Sequence, residues 1–86
     1  MPEISRFFGI VIKMFFDDHD PPHFHAEYGS EAALIDIRRL FAFAGRLPPR
    51  VMGLVIEWAA LHREELFANW ERARAQQELQ KIAPLE

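Results

Sequence analysis

The sequence predicts an α+β domain: a small sheet of three to four mostly antiparallel strands packed against a long or broken C-terminal helix. Three observations carry that expectation. Residues 23–28 alternate cleanly, with Phe24, Ala26 and Tyr28 on one side and His23, His25 and Glu27 on the other. That period of two is the pattern of a half-buried strand. Gly29–Ser30 follows directly and suits a two-residue hairpin turn. In the last third, Val51, Val55, Trp58, His62, Leu66, Asn69 or Trp70, and Ala73 recur in steps of three and four, the apolar stripe of an amphipathic helix.

The elements follow in order. Ile4 to Phe16 is rich in Ile, Val and Phe and reads as one strand covered on both faces, with Gly9 able to permit a bend or bulge. The stretch Asp17 to Pro22 is a loop, closed by two prolines that push their predecessors toward extended geometry. Glu31 to Ile37 is the strand returning from the hairpin. Leu34, Ile37, Phe41 and Ala44 also fit helical spacing, but the Gly–Ser turn and the run Leu34–Ile35–Asp36–Ile37 favour strands here. Pro48–Pro49 suits the first turn of the helix, where a missing N–H costs little. An unbroken helix over residues 49–75 would run roughly 40 Å, long for so small a domain, so a break near Leu61–His62 is the alternative. Leu79 to Leu85 would return as a short edge strand. The expected organisation is one domain over residues 1–86, with the sheet at about 4–45, the helical region at about 49–76 and a tail at 77–86.

Composition narrows the function classes. A chain of 86 residues holds one core. Thirteen acidic against ten basic side chains give a formal charge of -3, which disfavours a strongly basic nucleic-acid clamp and leaves RNA a weak expectation. The absence of cysteine removes disulfides, thiol nucleophiles and zinc knuckles. No apolar run approaches the ~20 residues of a membrane span, and Glu3 and Arg6 interrupt what would be the core of a signal peptide. A cytoplasmic location is expected.

The sharpest chemical feature is the cluster Asp17, Asp18, His19, Asp20, His23 and His25. On a strand, His23 and His25 share one face with Cα atoms about 6.5 to 7 Å apart, a spacing that lets two imidazoles converge on one cation. The candidate ligands are Asp18, His19, His23, His25 and His62, and the expected ion is a divalent transition metal. His62 lies on the helix seam that faces the sheet, and Glu65, three residues on, is placed to ligate or orient it. Metal-free acid–base chemistry is the second form of the same idea, with His23, His25 and His62 trading protons and Arg50 or Arg63 supplying a cation for a phosphate. The plain structural reading stands beside both: a solvated Asp-rich turn, and a core histidine packed between Trp58 and Leu66.

Four blocks resemble one family. They are MPEISRFFGI, the D-H-x-P-P-H-F-H core (Asp18 to His25), Leu47–Pro48–Pro49–Arg50, and W-x-x-x-H-R-E-E-L-x-x-N-W (Trp58 to Trp70). Together, and in this order over almost the whole chain, they resemble the short prokaryotic domain-of-unknown-function family numbered 4160. The resemblance implies a small stand-alone cytoplasmic protein, often encoded beside another small protein, an arrangement analogous to toxin–antitoxin modules. The chain departs from that pattern at Arg38–Arg39–Leu40–Phe41–Ala42–Phe43, where a polar, Gly-containing hairpin tip is expected, and in the tail.

The phenylalanines, including Phe7, Phe8, Phe15, Phe16, Phe41, Phe43 and Phe67, read mainly as core, and Trp58 and Trp70 as core anchors. Phe41 and Phe43, if partly exposed, would form an apolar edge for a protein partner or a second copy. An interaction protein, one half of a two-gene toxin–antitoxin-like module by the analogy the resemblance implies, is therefore ranked first. A small metal-dependent or histidine-based hydrolase or ribonuclease with His23, His25, His62 and Arg63 in its site is ranked second.

Overall fold

A computed structural model describes residues 3–86. Five strands run β1 (Glu3–Phe7), β2 (Ile10–Lys13), β3 (His23–Tyr28), β4 (Glu31–Asp36) and β5 (Ala42–Gly45), followed by α1 (Pro49–Leu61) and α2 (Arg63–Arg74). The sheet is an antiparallel meander in the order β1-β2-β3-β4-β5. The α+β class and the antiparallel sheet stand; the strand number rises to five.

The extra strand comes from the first segment. Residues 4–16 form a hairpin rather than one strand, because Phe8 (φ 52) and Gly9 (φ 78) both take the left-handed region, the requirement of a tight turn whose twist matches its strands. Phe7 and Ile10 then face each other across β1 and β2. Uniformly apolar sequence hides such a turn, since both flanks look like strand. At Gly29–Ser30 the expected turn is present, with Tyr28 opposite Glu31. Residues 31–44 are strands, with β4 and β5 joined by a loop closed by Asp36 N–H to Phe41 O at 3.0 Å.

Cross-strand register sets the core. Ile12 lies opposite Ala26, Ala26 opposite Ala33 and Phe24 opposite Ile35, so one face is a continuous apolar plate, all of it buried. The helices cover that plate through Val51, Val55, Trp58 and Ala59 from α1 and Leu66, Asn69, Trp70 and Ala73 from α2. Trp58 packs against Phe7 and Phe24 at centroid distances of 5.4 and 5.8 Å.

Two helices replace one long one, and the break falls at His62 (φ -123, ψ 27). Geometry explains it. Residues 49–74 in one helix would span about 39 Å, more than the 33 Å long axis of the molecule. The break redirects the second half, which buries Leu66, Asn69, Trp70 and Ala73.

The tail forms no strand. It crosses the edge of β1 with one backbone bond, Ile82 N–H to Ile4 O at 2.8 Å. Side chains hold it elsewhere: Trp58 Nε1 donates to Ala83 O at 2.8 Å, and the buried Asn69 amide pairs with both backbone groups of Gln80, at 2.8 and 2.9 Å. The core reading of the phenylalanines holds for Phe7 and fails for Phe8, Phe16, Phe41 and Phe43, which are 59%, 40%, 44% and 39% exposed. Among the described residues no helix is long and apolar enough to cross a membrane.

Candidate metal centre

The loop after β2 folds back so that Asp18 sits over the start of β3. His23 opens that strand and His25 follows on the same face. Asp18 Oδ2 lies 2.9 Å from His25 Nε2 and 3.4 Å from His23 Nε2. The three donor atoms all lie within 4.8 Å of one another.

The second nitrogen of His23 decides what the first can do. His23 Nδ1 lies 2.7 Å from the carbonyl oxygen of Pro21. A carbonyl only accepts, so Nδ1 carries the proton and Nε2 is the nitrogen that can offer a lone pair to a cation. Orientation of a ligating imidazole by a backbone carbonyl is the usual support around protein metal sites. His25 Nε2 donates to Asp18 in the absence of an ion and would exchange tautomer to bind one.

The two spacings to Asp18 suit an ion of ordinary size. Four-coordinate bonds of about 2.0–2.1 Å put neighbouring donors roughly 3.3 Å apart. The His23 to Asp18 distance already matches, and the His25 to Asp18 distance needs to open by a few tenths of an ångström. Two imidazoles with one carboxylate suit a divalent transition metal and leave positions for water.

Aromatic side chains wall the cluster. His23 is buried, its ring 5.3 Å from both Trp70 and Phe43. Phe15 meets His25 edge-on at 4.6 Å. His25 and Asp18 stay half-buried, so the donors are held from one side and open on the other. The sequence reading made Trp70 a core anchor and Phe43 a core residue or part of an apolar edge; nothing in it linked either to His23. The Pro21 carbonyl carried no signal, because backbone acceptors are invisible in composition.

Two sequence-predicted ligands are not in the cluster. His19 is exposed on the loop and His62 sits at the helix break, packed on Trp58 at 5.5 Å and bonded through Nδ1 to Glu65 at 2.5 Å. Glu65 thus orients His62 as expected, but the pair lies at a different place, beside a cleft of about 380 Å³ lined by residues 60–65. The helix seam does face the sheet; the break turns His62 to its own end of it. Arg63 Nε reaches Ile37 O at 3.3 Å and fastens α2 to the end of β4. Asp20 pairs with Arg74 at 3.1 Å and Asp17 is exposed.

A family model described as a domain of unknown function (DUF4160) matches residues 9–71. The chain belongs to this family. In this DUF4160 member the match spans β2 to β5, α1 and most of α2, with Asp18, His23, His25 and Trp70 inside it. Strand β1 and the tail lie outside, so the opening block of the resemblance falls largely beyond the matched part. No curated protein and no solved structure matches the chain significantly.

Proposed function

We propose that this DUF4160 domain is a metal-dependent hydrolytic module whose single divalent transition ion is held by Asp18, His23 and His25. The observation that carries the reading is the Pro21 carbonyl on His23 Nδ1, which presets a buried imidazole to offer its other nitrogen beside a carboxylate and a second imidazole. A solvated Asp-rich turn has no need of that arrangement. An ion there would keep positions open for water, and metal-held water loses its proton far more readily than bulk water. That gives a nucleophile at neutral pH without a catalytic serine or cysteine.

The test is elemental analysis of protein purified without a histidine tag or chelator, with His25→Ala and Asp18→Asn beside it. His25 and Asp18 are partly exposed, so these variants keep the core. Near one equivalent of a transition metal, lost in both variants, is the expected result. No metal, and none taken up when zinc, manganese or iron(II) is added back, would sink the reading.

The interaction reading keeps one specific support. Strand β5 is the sheet's free edge, and Phe41 and Phe43 are exposed beside it. Unpaired backbone groups flanked by aromatic rings favour strand addition by a protein partner or a second copy. In that case mass in solution rises with concentration or with the partner protein, and Phe43→Lys abolishes the rise.

A further inference from the structure

The β4–β5 loop places two arginines beside the candidate metal centre. Asp36, at the end of β4, accepts the backbone N–H groups of Arg38 and Arg39 on one carboxylate oxygen, at 2.7 and 2.9 Å. Leu40 N–H returns to Asp36 O at 2.8 Å. These bonds fix the loop and occupy the Asp36 charge. Arg38 rests over the Phe67 ring at 5.8 Å. Among the described residues neither Arg38 nor Arg39 has a carboxylate partner in an ion pair.

Beneath them lies a cleft of about 390 Å³ lined by Pro21, Asp36, Arg38, Arg39, Phe41 and Phe43. It touches the metal centre at three points. Pro21 supplies the carbonyl on His23, Phe43 packs edge-on to the His23 ring at 5.3 Å, and Asp36 is the register partner of His23. One wall is cationic and one is made of half-exposed aromatic rings, and the Phe43 ring stands between the cleft and the buried His23. Guanidinium groups match phosphate oxygens in fork geometry, and exposed aromatic rings stack on bases whatever their identity.

We infer that this cleft binds a nucleoside phosphate, with the phosphate on Arg38 and Arg39 and the base against Phe41 and Phe43. The assignment rests on the metal reading for the chemistry and on the cleft alone for binding. Hydrolysis would join the oxygen of the ion-held water to phosphorus and break the bond to the ester oxygen, which takes the proton that water gives up. The net charge of -3 does not forbid this, because Asp36 and Asp20 are engaged and an ion would neutralise Asp18.

The test is fluorescence anisotropy with a labelled ten-nucleotide single strand of RNA, with competition by unlabelled adenosine and uridine monophosphates and by duplex RNA. Each arm is run with and without the metal. The proteins are the wild type, Arg38→Ala/Arg39→Ala, Phe41→Ala/Phe43→Ala and His25→Ala. Loss of both arginines should bring the slope of log affinity against log salt about 1.4 closer to zero, at roughly 0.7 per single-strand phosphate contact. Loss of the rings should weaken binding roughly 5- to 150-fold per stacked base. A mononucleotide competing as well as the strand assigns the free nucleotide; a strand binding more tightly assigns the chain. Binding retained by His25→Ala without metal shows the cleft working when the ion site fails. No binding by wild type, equal binding by the arginine and phenylalanine variants, or preference for the duplex would each overturn the inference.

Discussion

Asp18→Asn separates an ion site from a hydrogen-bonded turn. In the metal-free protein Asp18 Oδ2 accepts from His25 Nε2 at 2.9 Å and lies 3.4 Å from His23 Nε2, with about a quarter of its side chain exposed (24%). A partly exposed pair of this kind contributes about 1 kcal/mol at most, or roughly 4–8 °C in melting temperature for a chain of this length. The ion changes the scale. At a free concentration one hundred times its dissociation constant, a bound ligand adds about 2.7 kcal/mol, which corresponds to roughly 11–22 °C. If loss of the charged ligand weakens binding a hundredfold, the same ion concentration adds only about 0.4 kcal/mol, roughly 2–3 °C. The assay is thermal unfolding followed by circular dichroism, for both proteins, in chelator and in excess zinc or manganese. The variant should melt a few degrees lower in chelator and lose most of the metal-dependent gain. An equal gain in both proteins would place the ion elsewhere, and no gain in wild type would leave Asp18 as a turn residue.

Two further predictions test the frame that holds the site. Asn69→Ala removes both bonds to the Gln80 backbone and the acceptor of Arg72 Nη1, so denaturant unfolding should show a loss of about 2–3 kcal/mol; a loss under 0.5 kcal/mol would mean that the tail is not held there. Two glycine substitutions should act with opposite signs. At Gly45 (φ +72) a Cβ would fall 2.2 Å from Ala32 O, and Gly45→Ala should cost about 2 kcal/mol or more through strain in β5. At Gly53, inside α1, a Cβ meets nothing within 4 Å, and Gly53→Ala should stabilise by about 0.5–1 kcal/mol. Both melting temperatures rising would contradict the account of β5, and both falling would contradict that of α1.

What the sequence made legible follows from the range of each interaction. The alternation of His23 to Tyr28 and the stripe from Val51 to Ala73 are local periodicities, and both survive as β3 and the two helices. The pairing of His23 with His25 needed only strand geometry. The turn at Phe8–Gly9 was hidden because a phenylalanine takes the left-handed conformation that small residues usually mark. His62 was misplaced for a different reason: helical periodicity gives the face of a residue but not its position along the sheet. The walls of the site, Trp70 and Phe43, come from segments 47 and 20 residues away from His23 in the chain, and no local pattern could announce their meeting.

That meeting gives the site its character. An H-x-H pair on the outer face of a strand is ordinarily two solvated rings that lose nothing by rotating freely. Here the C-terminal half of α2 brings Trp70 onto His23 while β5 brings Phe43 to the same ring, so one imidazole is immobilised and the other stays accessible. Pre-ordering one ligand reduces the conformational entropy that an incoming ion must remove. The helix break makes this possible, since it is the redirected α2 that reaches His23 while Arg74 meets the loop at Asp20. The same break that removes His62 from the cluster therefore supplies the cover that lets Asp18, His23 and His25 act as a site without it.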